Sequence, residues 1–167
     1  MPNLDKAIPI IEGSILDYDT DIIVQQVNCR GVMGGGLAAQ ILRKYPEVPR
    51  EYKKYVNTRY QSILYSSEML GEVLFVDTYD QRIVANVFGQ DFIRTSSLDV
   101  HQYTDEPALM KGLTEVRDLA FAKGLKVAIP TNIGCGLANG KWEVIKPQIE
   151  DVFEYSGVDV TFYHYEP

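Results

Sequence analysis

Two segments set chemistry-bearing residues among glycines: NCRGVMGGGLA at 28–38 and TNIGCGLANG at 131–140. Each follows an apolar, β-branched run and precedes a helical pattern. A main chain without side chains can approach a phosphate closely, and residues at φ > 0 let successive N–H groups converge on an anion. A helix amino terminus adds its own unpaired N–H groups and the positive end of its dipole. The chemistry expected of these segments is an anion cradle, against the plainer alternative of two connecting turns. Two cradles on one sheet suit a ligand with two phosphates, or with a phosphate and a sugar. Neither segment ends in GK[ST], and 31–36 reads GVMGGG in place of GxGxxG, so neither a P-loop nor a dinucleotide fingerprint is present.

The reacting groups must come from the flanks. Asn28, at a strand end, can position a water or a ribose hydroxyl, or simply close a turn. Gln90 and Asp91 follow another strand and can reach the same sugar, or be solvated. His101 is a candidate acid or base on a long connection, or an ordinary surface residue. These give a candidate catalytic set of Asn28, Gln90 and His101. Cys135 lies between two glycines, where helix N–H groups would favour its thiolate; the plainer reading is a small loop filler. Phe92 and Tyr103 offer flat apolar cover for a purine or ribose, or anchor their own loop. Arg30 and Arg94 are the cations for a terminal phosphate. Trp142 fits an apolar helix face, and His164 and Tyr165 carry no assigned role.

The 167 residues fit one domain, 1–167, able to bury roughly two thirds of the surface of its unfolded chain. A formal charge of −7 offers no chain-wide attraction to nucleic acid, although local dipoles can still hold a small anion. No apolar run reaches membrane-spanning length and no signal-peptide pattern opens the chain, so no membrane partner is expected and the cytoplasm is the default address. Cys29, Cys135, His101 and His164 form no ligand spacing, so neither a metal nor a cofactor is implied.

Strand-like and helix-like segments alternate, the pattern of a layered α/β fold. Strands are expected at 8–11, 22–28, 72–78, 82–88, 126–130 and 159–165, all rich in β-branched and aromatic residues. A helix starts at Gly36 with Leu37, Ala38, Ile41, Leu42 and Tyr45 on one face, and 46–60 extends that helical region with a break at Pro49. A second helix is capped by Thr104 or Asp105, holds Pro107 in its first turn, buries Leu109, Leu113, Val116 and Ala120, and stops at Gly124. A third aligns Trp142, Ile145, Ile149 and Val152, with Pro147 delaying or kinking it. The connection 89–103 is long for such a fold, which favours a cover over the ligand.

VNCRGVMGGGLAAQI, RIVANVFGQ and IPTNIGCGLANGKW, followed by an amphipathic helix and a last strand, together resemble a macrodomain, the ADP-ribose-binding module. The resemblance runs from about Ile8 to Tyr165. It is strongest to the branch of terminal ADP-ribose glycohydrolases, DNA ADP-ribosyl glycohydrolase antitoxins and ADP-ribose-1″-phosphate phosphatases. It implies a three-layer α/β/α sandwich around a mixed six-stranded sheet, and binding of ADP-ribose or a derivative. A hydrolytic activity on the terminal ribose is implied with it, the alternative being a non-catalytic reader or sink. The partner would be ADP-ribose itself or an ADP-ribosylated protein or nucleic acid. Asn28, Cys29, Arg30, Gly31, Val32, Met33, Gly34, Gly35, Gly36, Leu37 and Ala38 would wrap the distal ribose and part of the diphosphate. Thr131, Asn132, Ile133, Gly134, Cys135, Gly136 and Leu137 would hold the diphosphate, and Gly13, Ser14 and Ile15 would lie by the adenine. Three departures stand out. Ser14 replaces the aspartate that accepts from the adenine amino group. Gln90 stands where the glycohydrolases have a lysine, and Ala138 where they have an aspartate. An amide cannot form a lysine-type adduct and a methyl group cannot move a proton, so that glycohydrolase mechanism does not carry over.

Overall fold

The computed structural model describes residues 7–166, leaving 1–6 and 167 of the expected 1–167 domain outside the described residues. Six strands, β1 (Ile10–Glu12), β2 (Ile22–Asn28), β3 (Val73–Asp77), β4 (Ile83–Gln90), β5 (Val127–Pro130) and β6 (Val160–His164), form one sheet in the order β1-β6-β5-β2-β4-β3. All neighbours run parallel except β3 and β4, so the sheet is mixed, as the resemblance implies. The β2 strand lies inside the sheet and alternates faces. Ile22 and Val24 join the core under α3 (Glu106–Lys123) and α4 (Trp142–Phe153); Ile23 and Val27 join the cores under α1 (Gly36–Lys44) and α2 (Glu47–Tyr60). Period-two alternation with both faces covered is what makes these strands near-continuously apolar. The result is three layers.

The expected elements are present, with differences in their bounds and faces. The first strand lies at 10–12 in place of 8–11, and its three residues are exposed at the sheet edge. Residues 47–60 form a separate helix that Pro49 does not break. Proline in a first turn loses only an N–H that has no helical partner there. The interruption falls instead at Tyr45, whose φ of −125° and ψ of 76° are non-helical, because Pro46 clashes with a helical conformation of the residue before it. Leu42 is exposed, while Ile41 and Tyr45 are fully buried, so the buried stripe of α1 is narrower than expected. The helix α4 begins at Trp142 with regular bonding, Ile145 N to Lys141 O at 2.9 Å, and Pro147 does not delay it.

Asp105 is the cap of α3. Its side chain accepts from Ala108 N at 2.9 Å, and Gly124 closes the helix at φ 66°. Asp105→Ala should therefore cost about 1 kcal/mol and lower the melting temperature by about 2–4 °C; an unchanged melt would contradict the cap.

Candidate functional site

Parallel strands end together, and their carboxyl ends open onto the two glycine segments. The register between β2 and β4 slips by one residue there: Val27 faces Phe88, but Asn28 faces Gln90. Gly89 is the extra residue. Such a bulge re-aims side chains at a strand end, and β4 continues two residues past the expected 88, so Gln90 belongs to the sheet.

A cavity of about 920 Å³ lies over this edge, lined by the ends of β2, β4 and β5, both glycine segments and part of the long connection. Of the expected first segment, Asn28, Val32, Met33, Gly34, Gly35, Gly36, Leu37 and Ala38 line it; Cys29, Arg30 and Gly31 do not. Of the second, Thr131, Asn132, Ile133, Gly134, Gly136 and Leu137 line it, and Cys135 does not. Gln90 lines it, while His101 stands outside, edge-on to Tyr103 with ring centroids 4.9 Å apart. Gly13, Ser14 and Ile15 lie outside the lining; Gly13 N donates to His164 O at 2.8 Å and Ser14 Oγ accepts from Leu16 N at 3.3 Å. A Cβ on Gly34 or Gly136 would meet no atom within 4 Å, so the space beside those residues is open for a ligand.

The electrostatics of the cavity oppose those of the chain. Although the net charge is −7, Arg94 is the only charged side chain among the lining residues. Its Nη1 donates to Asn139 Oδ1 at 3.1 Å. With one cation and no carboxylate, the cavity favours an anionic ligand. It also holds no side chain suited to general acid–base work near neutral pH.

The first segment is held from beneath by α2. The buried Tyr52 hydroxyl lies 2.6 Å from Asn28 O and 2.9 Å from Asn28 Oδ1, and Tyr60 donates to Cys29 O. Asn28 itself shapes the loop: Oδ1 accepts from Arg30 N at 2.9 Å, and Nδ2 donates to Val32 O at 2.7 Å. One N–H of its amide is left to offer. The second segment is tied to the long connection. Tyr103 N donates to Ala138 O at 2.8 Å, and Asn139 Nδ2 donates to Asp99 O at 2.9 Å and His101 O at 2.8 Å. That connection reaches the cavity through Ile93 and Arg94.

The aromatic residues of the connection anchor it. The Arg30 guanidinium lies 3.8 Å over the Phe92 ring and 3.7 Å from Asp91, while Tyr103 donates to Asp99. Trp142 packs edge-on against Phe162 at 5.2 Å, in the core. Both cysteines are held as thiols. Burial, then Asp91 and Glu72, pushes Cys29 up to about 12. Burial, then Glu143 and Glu106, pushes Cys135 up to about 11, so helix N–H groups do not activate it and the loop-filler reading stands. Alkylation by iodoacetamide at pH 8 should run at least about tenfold slower in the folded protein than in urea, read by mass spectrometry; equal rates would contradict this.

Gln25, Gln26, Val27, Ile93 and Pro130 line the cavity without belonging to the expected set. For the glutamines a signal exists, two adjacent polar residues inside the apolar strand IIVQQVN. Among the described residues no cluster of three His, Cys, Asp or Glu could hold a metal, and no helix is long and apolar enough to cross a membrane.

Solved structures with this arrangement include macrodomains. The Macro domain family profile matches residues 24–149, which include both glycine segments. A DNA ADP-ribosyl glycohydrolase of Mycobacterium tuberculosis is 30% identical over 156 residues, covering 90% of this chain; the match spans 40% of that relative's length. An ADP-ribose 1″-phosphate phosphatase of Lodderomyces elongisporus is 29% identical over 128 residues, 73% of this chain and 74% of that one. Among solved structures, the macrodomain of Mycobacterium tuberculosis DarG superposes with a TM-score of 0.71 at 27% identity, covering 94% of this chain and 98% of that one. Sheet order, paired glycine segments and sequence match agree, and the chain belongs to the Macro domain family.

Proposed function

We propose that the cavity binds ADP-ribose or a derivative of it, and that the protein hydrolyses a group carried on the terminal ribose. The reaction is that of an ADP-ribose-1″-phosphate phosphatase or of an enzyme removing ADP-ribose from a protein or nucleic acid. The observation that carries the reading is a cavity built from both glycine segments whose one charged lining residue is Arg94. The names of the two curated relatives support the same ligand.

In this reading Thr131–Leu137 hold the diphosphate, Asn28–Ala38 wrap the distal ribose, and Gly13, Ser14 and Ile15 approach the adenine from beside the cavity. Water attacks the phosphorus of a 1″-phosphate, the bond to the C1″ oxygen breaks, and that oxygen takes the proton from water by way of the substrate's own phosphate. Asn28 contributes its remaining N–H. Purified protein should release phosphate from ADP-ribose-1″-phosphate, and Asn28→Ala should slow it by about 100-fold. Phosphate release no faster than in buffer, with Asn28→Ala indistinguishable, would sink the phosphatase reading.

One observation favours a second reading, a non-catalytic reader or sink for ADP-ribose groups. No lining side chain is suited to act as acid or base near neutral pH, with Gln90 and Ala138 at the two positions in question. Ligand binding without turnover in the same assay selects it.

A further inference from the structure

Gln26 is built into the protein in an unusual way. Its amide packs against Gly89 and Gly134, and a Cβ on either glycine would press on Gln26 Oε1. That oxygen is buried without a hydrogen-bond partner among the described residues. The amide nitrogen, by contrast, donates twice, to Thr104 Oγ1 at 2.9 Å and to Gln90 Oε1 at 3.0 Å.

The direction of each bond follows from the chemistry at the ends of the chain. Gly134 O can only accept, so Thr104, 2.6 Å away, spends its single hydroxyl proton there. Thr104 Oγ1 must then accept from Gln26, which places Nε2 at Thr104. The second N–H of Gln26 meets Gln90, which must turn its oxygen inward. At the other end Phe92 O also only accepts, and Gln90 Nε2 donates to it at 3.1 Å. Two backbone carbonyls thus fix three side chains. The oxygen of Gln90 is turned toward Gln26, and one N–H is left for the cavity that Gln90 lines.

Asn28 is the register partner of Gln90 and reaches the same end state by a separate route. Backbone N–H groups of Arg30 and Val32 take its oxygen, and Val32 O takes one of its two N–H bonds. Each amide then has one N–H without a protein acceptor among the described residues, and each oxygen already accepts from the protein. Two neutral donors on register partners, with no carboxylate in the lining, match an oxyanion better than a hydroxyl that must donate.

We propose that Thr104 and Gln26 are positioning residues that lock Gln90 as a donor, so that this end of the cavity selects ligands with an oxyanion, a phosphate monoester above all, on the terminal ribose. The inference rests on the ADP-ribose reading above and narrows its substrate class. Neither Thr104 nor Gln26 is in the expected site, and Thr104 does not line the cavity.

The test compares the affinity of ADP-ribose with that of an analogue carrying a non-hydrolysable phosphonate at C1″, by calorimetry. Wild type should prefer the phosphonate by at least about tenfold, the scale of one charge-assisted hydrogen bond. Thr104→Ser keeps the hydroxyl and should keep the preference to within about threefold. Thr104→Val removes the anchor, and Gln26→Glu turns the Gln90 nitrogen inward; both should bring the two affinities to within about threefold of each other. A merely structural role would weaken both ligands and leave their ratio alone. If either buried variant fails to melt cooperatively, Gln90→Met removes the donor directly and must erase the preference. Wild type binding ADP-ribose without preferring the phosphonate overturns the inference alone, as does a folded variant that retains the full preference. Wild type binding neither ligand overturns the ADP-ribose reading together with it.

Discussion

Gly134→Val is expected to remove ADP-ribose binding while leaving a folded but weakened protein. Gly134 has φ +74°, a left-handed conformation that a β-branched residue adopts only under strain. Its Cβ would also lie 2.9 Å from Thr104 Oγ1 and 3.0 Å from Gln26 Oε1. Neither neighbour can simply swing away, because Thr104 is bonded to the carbonyl of Gly134 itself. Strain and overpacking together should cost roughly 2–4 kcal/mol. The loop relieves them by leaving its seat on β2, which disperses the N–H groups meant for the diphosphate. Gly136→Ala is the control for stability: its φ is not positive and its Cβ meets nothing within 4 Å, so the urea midpoint should move by less than about 1 kcal/mol. Equal destabilisation by the two substitutions would show that the second segment is generally intolerant, and that the seat on Gln26 and Thr104 is not the cause.

Arg82→Met should give the largest loss of stability. The guanidinium is buried, 8% exposed, and unlike most buried charges it is met mainly by carbonyls. Nε donates to Thr20 O at 2.9 Å, Nη1 to Leu16 O at 3.1 Å, and Nη2 to Ile15 O at 3.2 Å and Thr20 Oγ1 at 2.9 Å. Lys44 also reaches Leu16 O at 3.0 Å, so that carbonyl keeps a donor. The carbonyls of Ile15 and Thr20 have no other donor among the described residues. Methionine fills the space but strands them, at about 1–3 kcal/mol for each buried group, for a total on the order of 4 kcal/mol. The urea midpoint should fall with the slope unchanged. A loss below about 1 kcal/mol would mean that water replaces the guanidinium. Because Ile15 belongs to the segment proposed for the adenine, binding should also weaken under conditions where the variant is still folded.

The sheet was legible because the strands are rich in β-branched and aromatic residues, and because Gly36, Asp105 and Gly124 punctuate the helices around it. The misplaced break at Pro49 shows the limit of such punctuation. Proline is disruptive at Pro46, through its effect on Tyr45, and harmless three residues later in a first turn; only the position of the helix start separates the two. Both glycine segments were readable as a cradle, since backbone that must approach an anion leaves a local mark.

What escaped was contact between distant segments. Nothing near Arg82 in RIVANVF announces that it serves carbonyls at residues 15–20. Gln26 and Thr104 are 78 positions apart and meet only because β2 and the start of α3 converge on Gly134. The pair of glutamines in IIVQQVN was the one available trace of that network, a polar interruption in a strand buried on both faces. Cys135 misleads in the opposite sense: its place between glycines suggests activation, and burial beside Glu143 and Glu106 raises its pKa instead.

The central claim is that the cavity over the ends of β2, β4 and β5 takes ADP-ribose. Calorimetric titration of ADP-ribose into the wild-type protein tests it most directly, with Gly134→Val run in parallel. The account predicts saturable binding at one site per chain that the substitution removes. Absence of heat with high-micromolar wild-type protein, or binding that survives Gly134→Val unchanged, would contradict it.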